Sequence, residues 1–536
     1  MMKKAIKKLL AALLAVAMVC AMAIPAFAGN YWETEEDLGT NHCYDAFQIF
    51  DGVVSDDNTI SNVGWGSSIA HPNEFLAQLT EDLTIGDKFE TSFTPQEAAA
   101  VISQWSDSDN NSIAFARCVC NYVYSDRDST PVLQGGHTNG FKLEKAGYYL
   151  IVDTSSFSSD ANNDSYHAYN SFLLKVNKAN YHVQITPKVV KPTVEKKVYD
   201  NDDNSTSGDN NGWGSSADHA INEEFKFRLI AKLPASEGRA YDYYKKYTVC
   251  FNDTLSEGIT FDKLDTVEIT NGDGGASQVI DAANYTRTPN GSQFFKLSID
   301  DVKTCAEGLD LNKGATITVT YTAHLNDKAY VNTGSGSTEN KNSVRLQYSN
   351  NPRPDGEYWG YTPNYTPESE VYVYTYQLNN TKRAETENGT PLPGAGFKLY
   401  SDKAYEHEVK LYKEGNFYYP IKNALDKTPV EMKSADDGTF NVRGLDAGTY
   451  YLKETTTPAD FTPCSVIPPV TITANHTKDY VDLSGNLSTT IINKKAGGIT
   501  LPSTGGIGTT LFYVVGGGLM VAAIVLLVTK KRMENK

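Results

Sequence analysis

Apolar and polar residues alternate along most of the chain, with the period of two that places successive side chains on opposite faces of a strand. Gly147 to Val152 (GYYLIV), Thr316 to Tyr321 (TITVTY) and Val344 to Tyr348 (VRLQY) read as half-buried strands separated by turns rich in Asn, Asp, Gly and Ser. Helical periodicity is scarce. Its clearest instance is Thr94 to Trp105, where Thr94 is placed to cap the helix and Pro95 to open it. The 33 Tyr and 21 Phe suit sheet faces better than helix stripes. The pattern predicts an all-β protein built of tandem β-sandwich domains.

The two ends break this pattern. Lys3, Lys4, Lys7 and Lys8 precede an apolar stretch from Leu9 to Ile24, and Ala26-Phe27-Ala28 follows as a cleavage site, so residues 1–28 read as a signal peptide removed after Ala28. At the other end, an apolar run over 507–529 is long enough for a transmembrane helix, and Lys530, Lys531 and Arg532 hold its end on the cytoplasmic side. Between them, the Pro-interrupted connector Thr186 to Pro192 suggests one boundary, and a second is expected near Tyr376, after the turn-rich stretch at 350–356 and a final strand from Val371 to Tyr376. The expected organisation is an N-terminal domain at 29–190, a second domain at 191–375, a third at 376–497 and a C-terminal signal at 498–536. Gly64 to Ser68 (GWGSS) recurs at Gly212 to Ser216, too short a match to establish duplication.

Composition narrows the partners. The formal net charge is −17, and the two end segments hold eight of the 48 basic residues but only one of the 65 acidic ones. The part outside the cell is thus strongly acidic, which disfavours nucleic acid and favours solubility. Six Cys remain after the leader: Cys43, Cys118, Cys120, Cys250, Cys305 and Cys464. Their spacing is not that of a disulfide framework, and Cys250 with Cys305 is the first pair to test.

The pentapeptide Leu501-Pro502-Ser503-Thr504-Gly505, followed by the apolar run and the basic cluster, closely resembles the cell-wall sorting signal of Gram-positive bacteria. That resemblance implies cleavage by sortase between Thr504 and Gly505, with transfer of the Thr504 carbonyl to an amine. A single-span anchor with a chance LPSTG is the plainer alternative.

The third domain carries Tyr450-x-Leu452-x-Glu454, then Thr457 and Pro458, resembling the YxLxExxxP box of collagen-adhesin B-type domains. Lys382 precedes it, and Asn493 ends the strand-like run Thr490 to Asn493. In that family a Lys on the first strand and an Asn on the last form an isopeptide bond beside the Glu. Burial lowers an ammonium pKa and raises a carboxyl pKa, so a buried Lys can become a nucleophile while a protonated acid polarises the amide. The alternative for Glu454 is an exposed edge-strand position. In the second domain, period two aligns Lys196 with Val194 and Val198, Asp253 with Phe251 and Leu255, and Asn342 with Val344, Leu346 and Tyr348. These segments resemble the D2 domain of sortase-assembled backbone pilins. The resemblance implies an Asp253-assisted Lys196–Asn342 bond; capping of the following turn is the other role open to Asp253.

Val183-x-Ile185-Thr186-Pro187-Lys188 resembles the pilin motif WxxxVxVYPK, whose Lys is the amine joined to the next subunit, although Ala179 and Thr186 stand at its Trp and Tyr positions. Lys191 is the rival nucleophile. Asp203-x-Ser205-x-Ser207 matches the opening of a von Willebrand-type metal site but lies in a polar run, and reads as a solvated loop with at most weak calcium binding. The nine His show no metal-ligand spacing, and no nucleophile or phosphate-loop motif occurs, so no metal, no cofactor and no enzymatic turnover are expected.

Taken together, the resemblance implies tandem Ig-like and collagen-adhesin B-type sandwiches in a secreted major pilin anchored to peptidoglycan. Its implied partners are sortase and other pilin subunits, with a host ligand left open. A minor or tip adhesin, or a singly anchored surface binder, is the alternative.

Overall fold

The computed structural model describes residues 43–54, 60–106, 109–137, 141–154, 171–176, 181–183, 191–200, 211–236, 239–244, 246–288, 293–350, 364–422, 426–497 and 507–534. Its sheets fall into three successive groups along the chain. The strand-rich reading holds throughout, with helices added in the first region and at the C-terminal end.

In the first region, β1 (Cys43–Val54) pairs with Ile60–Trp65, Leu133–His137 and β2 (Gly147–Asp153), and β2 also pairs with Ser171–Val176. Every residue of β2 is buried. Tyr148, Leu150 and Val152 join a core with three helices, while Tyr149 and Ile151 turn the other way onto Tyr44, Phe141 and Leu143. Those helices are α1 (Pro72–Glu81), α2 (Pro95–Ile102) and α3 (Asn110–Ser125). Of these, α2 alone was expected, and it opens as its sequence dictates. The Thr94 hydroxyl accepts from Glu97 N–H while the Glu97 carboxylate accepts from Thr94 N–H, a reciprocal cap. The third helix is buried on several faces, including Ile113, Phe115, Cys118, Val119 and Tyr122, so it shows no single apolar stripe to read.

The second region is a sandwich. One sheet holds β3 (Thr193–Tyr199), β4 (Glu224–Leu233) and, beyond it, β6 (Ala315–Leu325); the facing sheet centres on β5 (Val249–Leu255), beside β7 (Lys341–Tyr348). Phe227, Leu229, Phe251, Val319 and Leu346 fill the space between them. The third region pairs β8 (Tyr376–Ala384) in parallel with β10 (Ser488–Asn493), and sets them against a sheet containing β9 (Gly448–Thr456).

The second and third regions share a joint. Tyr412, Tyr419 and Ile421 of the third pack into the core of the second, and Ile221 N–H donates to Gly444 O at 2.9 Å. At the same joint His476 lies 3.5 Å from Asp200 and 3.8 Å from Asp218, all three buried. Gly444 has φ +79°, and a Cβ there would meet Ile221 Cδ1 at 2.5 Å. We predict that Gly444→Ala destabilises this joint by about 1–3 kcal/mol, from left-handed strain and the displaced Ile221. A lowered thermal midpoint, with both regions still folded by circular dichroism, is the expected result; an unchanged midpoint would count against this close contact.

Two expectations change. Cys250 and Cys305 are both free thiols, so they are not bonded to each other. Period two explains this: Phe251 faces the sandwich core, which turns Cys250 away from it, whereas Cys305 lies within that core. Burial pushes both thiols up to about 11. The C-terminal segment is helical over Ile507–Glu534 (α4), with exposed apolar side chains including Leu519, Ile524 and Leu527. Among the described residues, however, no helix is long and apolar enough to cross a membrane, so the transmembrane expectation for 507–529 is not supported there.

Candidate functional site

The sandwich of the second region brings Lys196, Asp253 and Asn342 together at its centre. Lys196 comes from β3 in one sheet, and Asp253 and Asn342 come from β5 and β7 in the other. On the latter pair of strands Asp253 lies opposite Val344 and Leu255 opposite Asn342, so Asp253 and Asn342 are diagonal neighbours on one face. All three are buried, with relative exposures of 2 %, 0 % and 0 %. The alternation that aligned each with apolar neighbours is therefore the alternation of the folded strands. Lys197, the next residue along, is only half-buried.

Lys196 Nζ makes a short hydrogen-bonded ion pair with Asp253 Oδ2 and a second bond to Tyr321 Oη at 3.1 Å. The Phe227 ring lies 5.3 Å from the ammonium. Asp253 does not cap the following turn; its carboxylate accepts from Lys196 and from the Tyr321 hydroxyl at 3.3 Å. Burial pulls the Lys196 ammonium down to about 8, against the opposing pull of Asp253. The same burial raises the Asp253 carboxyl. Both shifts favour the neutral pair, a free amine beside a protonated acid.

The third region assembles its own cluster differently. Lys382 and Asn493 lie on the adjacent parallel strands β8 and β10, where Lys382 pairs with Ile491 and Ala384 with Asn493. Lys382 Nζ donates directly to Asn493 Oδ1 in a short contact. Glu454, on the facing sheet opposite Phe397 in its strand pair, reaches across to both. Its Oε1 accepts from Asn493 Nδ2 at 2.6 Å and lies 3.7 Å from Lys382 Nζ. Its Oε2 accepts from the backbone N–H of Cys464 at 2.7 Å, which fixes the carboxylate. The side chains of Lys382 and Glu454 are 0 % and 1 % exposed, so Glu454 is not an edge residue. Burial lowers the Lys382 ammonium pKa.

Chemically, each cluster presents an amine nucleophile, an amide carbonyl and a carboxyl group able to carry protons, in a water-excluded space. Two partners were missed in the sequence. Tyr321 sits at the centre of the first cluster, and the Cys464 N–H anchors the acid of the second. Tyr321 left one signal, since it carries the hydroxyl in the buried row Ile317, Val319, Tyr321, Ala323 and Leu325 of β6. The Cys464 contact is a backbone bond between residues ten apart and has no side-chain signature. The sortase-related calls at Lys188, Leu501, Pro502, Ser503, Thr504 and Gly505, the cleavage site at Ala28 and the Asp203 to Ser207 loop lie outside the described residues. Lys191 is described and half-buried.

Comparison with known proteins yields two domain-level matches. Residues 378–486 match the SpaA prealbumin-like fold domain, and residues 493–535 match the LPXTG cell wall anchor motif. With that motif the chain is a cell-wall-anchored surface protein. No curated protein matches the chain. Among solved structures it is similar to the T6 backbone pilin of serotype M6 Streptococcus pyogenes, at 16% identity and TM-score 0.47, covering 87% of this chain and 100% of that one. It is also similar to the major pilin SpaD of Corynebacterium diphtheriae, at 17% identity and TM-score 0.41, covering 85% of this chain and 93% of that one. A 35 kDa C-terminal fragment of the major pilin GBS80 of Streptococcus agalactiae is similar at 20% identity and TM-score 0.39, covering 56% of this chain and 99% of the fragment.

Proposed function

We propose that this chain is the structural backbone subunit of a sortase-assembled pilus. Sortase joins the Thr504 carbonyl of one subunit to the Lys188 amine of the next, and the last subunit is joined to peptidoglycan. Two intramolecular amides, Lys196–Asn342 and Lys382–Asn493, tie the second and third regions internally. The observation that carries this reading is the recurrence of a buried Lys, Asn and carboxylate in two successive sandwiches above a wall-anchor motif. The division into domains at 29–190, 191–375 and 376–497 belongs to the same proposal.

Each internal bond forms with the same overall balance of protons. The ammonium passes a proton to the carboxylate, and the free amine attacks the Asn side-chain carbonyl carbon. The acid then protonates the leaving amide nitrogen while a proton returns to it from the attacking nitrogen, so one ammonia departs and the acid ends protonated. The buried ion pair is thereby replaced by neutral groups, which removes the desolvation penalty of both charges. Sandwiches held by non-covalent forces alone have about 5–15 kcal/mol of stability and extend under load, whereas a tie across the sandwich resists extension. The chain is a substrate of an enzyme and turns over no substrate of its own.

The test is coexpression of the full chain with a class C sortase, read on a denaturing gel. A ladder of covalent multimers that Thr504→Ala abolishes is the expected result. A single anchored species with no ladder would replace this reading with that of a singly anchored surface binder.

A further inference from the structure

The two clusters solve the same problem with different parts. In the third region, the carboxylate of Glu454 touches Asn493 directly and lies beside Lys382. In the second region the acid is an aspartate, one methylene shorter. Asp253 binds Lys196 but makes no hydrogen bond with Asn342, and Lys196 makes none with Asn342 either. What joins the three is the hydroxyl of Tyr321. It accepts from Lys196 Nζ at 3.1 Å and from Asn342 Nδ2 at 2.6 Å, and donates to Asp253 at 3.3 Å. A phenol has one proton and two lone pairs, and here every one of them is used on a member of the cluster.

We propose that Tyr321 is a catalytic residue of the Lys196–Asn342 bond, relaying the proton of Asp253 to the Asn342 amide and donating to the oxygen that becomes anionic when Lys196 attacks. This rests on the reading that Lys196 and Asn342 become joined.

Three further observations fit. Asn342 Oδ1 is buried with no hydrogen-bond donor. A half-turn of the amide exchanges Oδ1 with Nδ2 and points the carbonyl oxygen at the Tyr321 hydroxyl. The orphaned acceptor and the available donor are therefore one rotation apart. Secondly, the ring of Tyr321 is held by Phe227, Phe261 and Phe295, with centroids 5.3, 5.4 and 5.3 Å away, so the hydroxyl is aimed with little freedom. Thirdly, burial and the nearby Asp253 keep the phenol protonated, well above its ordinary value, as a donor must be.

In the step, Lys196 gives a proton to Asp253, and its nitrogen forms a bond to the Asn342 side-chain carbon. The oxyanion is stabilised by the Tyr321 O–H. Asp253 then donates to Tyr321 Oη as Tyr321 donates to the departing nitrogen, and the attacking nitrogen returns a proton to Asp253. The carbon–nitrogen bond of the old amide breaks and ammonia leaves. Removing one preorganised donor of this kind slows acyl-transfer chemistry by about 10²–10³-fold.

The test compares the full wild-type chain with Tyr321→Phe, measuring both linked peptides by mass spectrometry after digestion at intervals following synthesis. The wild type is expected to show both links. In Tyr321→Phe the Lys382–Asn493 link forms as before, while the Lys196–Asn342 link is slowed by about 100-fold. Equal linking in both chains would overturn the role of Tyr321. Absence of the Lys196–Asn342 link from the wild type would overturn the parent reading instead. Because Tyr321→Phe can also perturb packing, 3-fluorotyrosine placed at position 321 supplies a second arm. It preserves the shape but makes the hydroxyl more acidic. A changed linking rate in a chain of unchanged thermal midpoint supports the relay, and an unchanged rate refutes it.

Discussion

Glu454→Ala is expected to leave the third region without its Lys382–Asn493 amide, and the purified chain one ammonia heavier than the mass of the same substituted chain with both links formed. Glu454 Oε1 is the acceptor for the amide nitrogen of Asn493 and lies beside Lys382 Nζ, so its loss removes the proton carrier from both ends of the reaction. It also strands a buried ammonium, since Lys382 is fully buried. Breaking a buried pair in this way typically costs about 3–5 kcal/mol. The missing tie adds to this. Lys382 and Asn493 are 111 residues apart, and by the chain-entropy argument used for disulfides a cross-link closing a loop of that size contributes about 4–5 kcal/mol. The third region should therefore melt far below its wild-type midpoint, while the Lys196–Asn342 link of the second region still forms. Glu454→Gln separates the two effects, because it keeps the shape and an acceptor oxygen but cannot carry a proton. It too should remain unlinked. An ammonia lost from this region in either variant would remove Glu454 from the mechanism.

Lys188→Ala is expected to abolish the covalent ladder outright while leaving both internal bonds intact. Polymerisation needs one amine per subunit, delivered to the acyl-enzyme, and a lysine beside a proline on an inter-domain connector is suited to that delivery. Internal linking depends on residues buried elsewhere, so the intact mass of the variant should differ from wild type by the substitution alone. Lys191→Ala is the paired experiment. It should polymerise normally, and a ladder that survives Lys188→Ala but not Lys191→Ala would transfer the nucleophile to Lys191.

Much of both clusters was legible because a strand has a period of exceptional simplicity. Lys196 between Val194 and Val198, and Glu454 in line with Tyr450 and Leu452, announce their burial by breaking an apolar row with a charge. Which charges meet across a sandwich is set by strand order and register, and alternation carries neither. The sequence resemblance supplied the partners. Tyr321 escaped because a tyrosine in an apolar row is ordinary, and only the geometry distinguishes its hydroxyl from one that merely packs. The helices of the first region escaped for a related reason. Nine residues of α3 are buried, so its apolar positions wrap around the helix and the expected stripe is blurred. Ser103 and the residues after α2 also end that helix earlier than the run to Trp105 suggested. Free Cys250 and Cys305 show the limit of counting cysteines, since Cys250 on its strand is turned away from the sandwich core while Cys305, beyond a short helical turn, lies within it.

Whether the sorting signal and the connector lysine form two halves of one joint is decided directly by a single measurement. Multimers formed by the wild-type chain with its sortase are excised from a denaturing gel, digested, and their branched peptides sequenced by tandem mass spectrometry. The predicted result is a branched peptide in which the carbonyl of Thr504 is bonded to Nζ of Lys188. Multimers joined through any other lysine, or Thr504 found only on peptidoglycan, would contradict it.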